Sequence, residues 1–210
     1  MTAERPIDAL RAIYRPDVAL RGARVYVHST DLYAELMVGA ARAGWTPLVA
    51  IDLRIKQLIR TAPEVRFDGE TAVGDSDAAG RFALAVGLHT FHGRIVATDR
   101  PVTVRRPYDE RRIWDLARLA ERQISLTGES GMAPIEVVTA LGVLLHNTVL
   151  PPPTGMRWLL ARLTLVRPLE PSDARTVNES LEHVLGGSTR TALTAADGPL
   201  GTMQFILGAV

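Results

Sequence analysis

The chain has 210 residues, a formal net charge of +1 and 47% hydrophobic residues, enough apolar mass for one compact body or two small domains. That charge balance argues against a nucleic-acid protein, where a basic excess is expected, and the absence of cysteine excludes disulfides and thiolate metal sites. With no apolar stretch of signal-peptide length after Met1 and no apolar run of about 18 residues, neither a leader nor a membrane span is expected, and the expected location is the cytoplasm.

Residues 6–14 read as a short helix stopped near Pro16. Residues 23–28 (ARVYVH) read as a strand. A helix is expected over 31–44, with Thr30 or Asp31 as its cap and Gly44 as its C-terminal stop. Strands follow at 47–59 and 64–73, then turn chemistry at 74–80 (GDSDAAG). Residues 81–89 alternate Phe82, Leu84, Val86 and Leu88 with Ala83, Ala85, Gly87 and His89, the pattern of a half-buried strand. The strand at 93–104 carries Pro101, which points to an edge or a bulge. Residues 107–123 read as a charged helix with Ile113, Leu116, Leu119 and Ala120 on one side. Residues 134–147 read as a second helix, apolar almost all round, with Pro134 suited to its first turn. Beyond the PPPTG connector, strands are expected at 156–169, 175–184, 188–196 and 201–210.

The second half repeats the first. Apolar positions of 51–63 match those of 161–173, residues 81–86 (RFALAV) match 190–195 (RTALTA), and Gly93 matches Gly201. The blocks keep one order with single-residue drifts, and the period is too long for a solenoid. The chain is therefore read as an N-terminal unit at 1–106 and a C-terminal unit at 107–210, the latter opening with a linking helix. The expected fold class is α+β, each unit an antiparallel sheet wrapped around a central helix that needs the sheet to bury it.

That arrangement is the hotdog, and two copies make a double hotdog. Residues 136–146 (EVVTALGVLLH), the proline-containing link at 147–151 and the strand at 158–165 (WLLARLTL) resemble the A-factor-biosynthesis hotdog family. In that family a helix starts with Glu and ends with His, and the units come in tandem. More distantly the chain is similar to hotdog dehydratases and thioesterases. The resemblance implies a substrate class, acyl groups held as thioesters on acyl carrier protein or coenzyme A, and a setting in fatty-acid-like or specialised metabolism.

Four residues are candidates for the chemistry. Glu35 and Glu136 align in the two helices, and a carboxylate at this place in a hotdog would be a general acid or base. The alternative is a Glu favoured by the helix dipole. His28 and Asp31 stand before and at the start of the first helix, and Asp31 and Glu35 share a helix face at i, i+4. For them the alternative is a capping Asp31 and a loop His28. His146 ends its helix, where the dipole favours it. His89 and His92 flank a turn without an evident third ligand, so no metal is expected, and no cofactor. His183 reads as a surface residue beside Glu179 and Glu182. No phosphate-binding glycine motif, nucleophile elbow or His-Glu-x-x-His zinc motif occurs.

The expected function is binding or transformation of acyl thioesters by lyase, hydrolase or acyltransferase chemistry. A catalytically inactive hotdog subunit or an acyl-ligand-binding partner protein is the alternative, and an unrelated α+β domain is a third. Expected partners are an acyl carrier protein or acyl-CoA substrate and, given the apolar C-terminus, a second copy in a homodimer; neither nucleic acid nor membrane is expected.

Overall fold

The computed structural model describes residues 12–74 and 77–209, in two compact units, Met1–Arg106 and Pro107–Val210. Each is an antiparallel sheet carrying few helices. None of the helices among the described residues is long and apolar enough to cross a membrane.

The first unit runs β1 (Ala12–Tyr14), β2 (Leu20–Arg21), α1 (Ser29–Arg42), β3 (Leu48–Ile55), β4 (Thr61–Gly69), β5 (Gly80–Val86), β6 (His89–Pro101) and β7 (Arg105–Arg106). The sheet order is β1-β4-β6-β5-β3, all neighbours antiparallel, and β2 pairs with β7 in parallel as a separate ribbon. Period-two alternation puts Ile51, Leu53, Val65, Phe67, Phe82, Leu84, Phe91 and Ile95 in the core. α1 meets the sheet at Gly39, where a Cβ would stand 2.9 Å from the Phe67 ring. Phe67 is pinned edge-on by Trp45 and Phe82, with ring centroids 4.8 and 5.3 Å away.

The opposite face of this sheet carries a cross-strand row of four arginines in register: Arg54, Arg81, Arg94 and Arg66. Like charges directly opposite are destabilising. The row holds because carboxylates alternate with it: Asp52 accepts from Arg54 at 2.9 Å, Asp68 from Arg94 at 2.9 Å and Glu64 from Arg66 at 3.2 Å.

The second unit runs α2 (Arg111–Trp114), β8 (Ala117–Ala120), β9 (Gln123–Leu126), α3 (Pro134–Val149), β10 (Met156–Leu165), α4 (Asp173–Thr176), β11 (Asn178–Leu185), β12 (Ser188–Ala195) and β13 (Gly198–Ala209). Its sheet order is β10-β13-β12-β11-β9-β8, again antiparallel throughout. α3 is the most apolar helix. It buries Val137, Val138, Leu141 and Leu145 completely, each worth about 1.5–3 kcal/mol relative to exposure. It approaches the sheet at Gly142, where a Cβ would meet Phe205 at 2.8 Å and Met203 at 2.9 Å.

Several sequence expectations need correction. Residues 12–14 of the expected 6–14 helix are strand β1, paired with β4; the rest lies outside the described residues, as do Asp75 and Ser76 of the 74–80 turn and Val210 of the last strand. α1 starts at Ser29, so His28 takes the cap position expected of Thr30 or Asp31. The charged helix over 107–123 is a single helical turn, α2, followed by the β8–β9 hairpin. Glu121 takes a left-handed φ of 53° in its tight turn, and pairing of β9 with β11 outweighs the helical spacing of the apolar residues. Pro101 closes β6 opposite a register shift in β4 and past the last pairing of β6 with β5 at Ile95, so a bulge and a locally open edge meet at this residue.

Candidate functional site

In the first unit the candidate residues gather at the start of α1. His28 has extended backbone (φ −73°, ψ 144°), and its carbonyl accepts the Asp31 and Leu32 N–H groups at 3.0 and 3.2 Å. Its ring is buried, with Nδ1 2.8 Å from the Thr30 hydroxyl. Burial, with Arg24 and Arg21 adding like charge, pushes this imidazole down to about 3, so it is neutral at pH 7. Asp31 is also buried. Arg21 grips it in a fork, Nε donating to both carboxylate oxygens at 2.9 and 3.0 Å. Glu35, one turn on and half-buried, accepts the Tyr14 hydroxyl at 2.5 Å and the Asp17 N–H at 3.1 Å. Loss of solvent and the facing carboxylate raise Tyr14 to about 12, so the phenol keeps its proton and remains the donor. Asp31 and Glu35 thus share a helix face but answer to different partners, a guanidinium and a phenol.

In the second unit Glu136 is the third residue of α3 and half-buried. Its carboxylate accepts the Ala133 N–H at 3.0 Å, which is one arm of a capping box; Ala133 has no side-chain oxygen to return the other. Glu35 is the seventh residue of its helix, so the two aligned carboxylates occupy different turns. A recess of about 370 Å³ opens beside this terminus, lined by Ser130, Met132, Ala133, Pro134, Pro171 and Arg175.

The layer between α3 and its sheet holds polar residues that the sequence reading did not place there. His146 is fully buried. Its Nδ1 donates to the Gly142 carbonyl at 2.6 Å and its Nε2 accepts from the Thr189 hydroxyl at 2.7 Å, which fixes a neutral tautomer. Burial lowers this imidazole too. Phe205 and Trp158 flank the ring, with centroids 4.4 and 5.2 Å away. Glu179 on β11 is 0% exposed, and burial raises its carboxyl well above the ordinary range. The signal for it was present: Val177, Glu179 and Leu181 fall on one face by period-two alternation, so Glu179 takes an inward position although its neighbours Glu182 and His183 are exposed.

His89 pairs with Glu70 at 2.6 Å on the surface. Among the described residues no three groups stand together as ligands for a metal ion.

No family model matches the chain, and no curated protein is similar to it. Solved structures match most of its length at low identity. A pyran synthase domain from module nine of the sorangicin pathway is 12% identical, with a TM-score of 0.47 over 95% of this chain and 91% of that one. An acyl-ACP thioesterase from Bacteroides thetaiotaomicron is 9% identical, with a TM-score of 0.47 over 94% and 97%. The dehydratase domain of RzxB from Pseudomonas fluorescens is 10% identical, with a TM-score of 0.45 over 92% of both chains.

Proposed function

We propose that the protein is a tandem of two hotdog units that binds acyl groups presented as thioesters of coenzyme A or an acyl carrier protein. The observation that carries this reading is the helix–sheet layer of the second unit. The apolar α3 rests on a continuous antiparallel sheet through Gly142, and polar groups are embedded in that otherwise apolar layer. Such a layer suits an apolar chain with one polar function. In the catalytic form of the reading Glu35 and Glu136 are the groups that move protons, because both carboxyls keep access to solvent. The reaction is then of the lyase, hydrolase or acyltransferase class.

A second reading, an acyl-binding subunit without turnover, is favoured by the state of the other two candidates. His28 is buried and its basicity is suppressed, and Asp31 is fixed by Arg21; neither is placed for proton transfer as it stands.

A panel of acyl-CoA and acyl-carrier thioesters, followed by mass spectrometry and by calorimetric titration, separates these forms. Turnover that falls in Glu35→Gln or Glu136→Gln establishes the enzyme and its working half. Saturable binding without turnover establishes the subunit. Neither binding nor turnover across the panel removes the thioester reading.

A further inference from the structure

Three side chains inside the second unit depart from the rule that buried polar groups are hydrogen-bonded. Both carboxyl oxygens of Glu179 and the hydroxyls of Thr139 and Thr191 are sealed from solvent and have no hydrogen-bond partner among the described residues. Their positions in the helix and in the ladder put them in one neighbourhood. Thr139 precedes Gly142 by about one turn of α3. Glu179 Oε2 lies 3.0 Å from the position a Gly142 Cβ would take. Thr191 stands across from Leu181 and Met203 in the ladder, and Glu179 is two residues before Leu181 on the same face. Each unpaired group costs about 1–3 kcal/mol, which apolar residues of the same shape would avoid. The neighbouring His146 and Thr189 are paired, so unpaired polar groups are not general to this layer.

We propose that Glu179, Thr139 and Thr191 form a socket for the carbonyl oxygen of an acyl group, with the Glu179 carboxylic acid as the hydrogen-bond donor. The proposal rests on the thioester reading and names the point in the chain that receives the acyl carbonyl. A carbonyl oxygen offers only lone pairs, and a protonated carboxyl and two hydroxyls are the donors that match it. The carboxyl keeps its proton because burial disfavours its charge, and a neutral acid in an apolar site is a well-placed donor to a polarised carbonyl. Met203 packs beside these groups, its terminal carbon 2.9 Å from the position of a Gly142 Cβ. Its unbranched side chain has the rotational freedom to swing aside.

The test uses the full chain and two ligands of one chain length, an acyl-CoA and the alkyl-CoA thioether whose carbonyl is replaced by methylene. Wild type and Glu179→Gln, which keeps a donor at that position, are expected to bind the acyl ligand about tenfold more tightly than the thioether. Glu179→Leu is expected to bind the two alike. Equal affinity of wild type for both ligands overturns the socket and leaves the thioester reading standing. A preference that survives in Glu179→Leu also overturns it, and the three groups then hold buried water only. Failure of wild type to bind either ligand removes the thioester reading and the socket with it.

Discussion

Both units lay one helix on an antiparallel sheet through a glycine, Gly39 against Phe67 and Gly142 against Phe205, yet they fill their sheets in different orders. After its helix the first unit reads β3-β5-β6-β4, and the second reads β10-β13-β12-β11. The strand that follows the helix therefore pairs with the third strand of its set in one unit and with the fourth in the other. Both orders keep every neighbour antiparallel and every apolar row inward, so period-two patterning is satisfied equally well by either. In the second unit β11 and β12 are neighbours joined by a tight turn, whereas in the first β6 lies between β4 and β5. Alternation fixes which face a residue occupies; it does not fix which strand is its neighbour.

Both units pair a buried carboxylate with an arginine, Asp31 with Arg21 in the first and Asp173 with Arg167 in the second. The contrast lies between Asp31, held by its guanidinium, and Glu179, which the second unit buries without a counter-ion. Removing the two carboxyls should have opposite effects. The largest is Asp31→Ala, which strands a guanidinium that is itself largely buried. It is expected to cost about 3–5 kcal/mol, read by chemical denaturation, with amide exchange rising first in α1. An unchanged denaturation midpoint would show the pair to be dispensable and remove this contrast. Next is Gly39→Ala. The added Cβ meets Phe67, which cannot yield because Trp45 and Phe82 hold it, so a loss of about 1–3 kcal/mol is expected despite the gain in helix propensity. A more stable variant would show that α1 is free to shift on its sheet.

The elements legible in the sequence were those whose pattern is local. α3 carries an apolar surface, a proline in its first turn and a proline run behind it, and β5 alternates cleanly. The β8–β9 hairpin was misread because its fate depends on β11, about 50 residues away and invisible to any window. The matching of residues 81–86 with 190–195 was real as a pattern, but those strands hold different places in their sheets. At the candidate site the helix starts and the presence of carboxylates were legible, but their partners were not. Nothing local joins Arg21 to Asp31 or Tyr14 to Glu35, since each contact forms only when α1 folds back over residues before it. Glu179 escaped for a different reason: a carboxylate is assigned to solvent by default, and only the inward positions of Val177 and Leu181 on either side argue otherwise.

Glu179→Leu turns the comparison around. Replacing an unpaired buried carboxyl with an apolar side chain of similar size is expected to stabilise the second unit by about 1–3 kcal/mol near neutral pH. Amide exchange resolved to α3 and β11 measures it, and a destabilised variant would mean that the carboxyl has a structural partner.

The smallest effect is in the slope of stability against pH, where the two buried groups pull in opposite directions. Glu179 is raised in the folded chain, so above an unfolded value of about 4.3 the native state holds a proton that the unfolded state has released. Its contribution is intact below that pH and is lost as pH rises toward the folded value, at no more than about 1.4 kcal/mol per pH unit. His28, held down to about 3, works the other way: the unfolded state gains a proton below about 6.5, and the first unit loses stability as pH falls from there. His146 adds a loss of the same acid-side sign to the second unit, so the raw slopes of the two units overlap in acid. The stability difference between Glu179→Leu and wild type cancels His146, which both proteins share. That difference should widen as pH rises above about 4.3 and level off once the folded carboxyl ionises. A difference that stays flat from pH 5 to 8 would mean that Glu179 is already charged in the native state, and the two units would then treat a buried carboxylate alike.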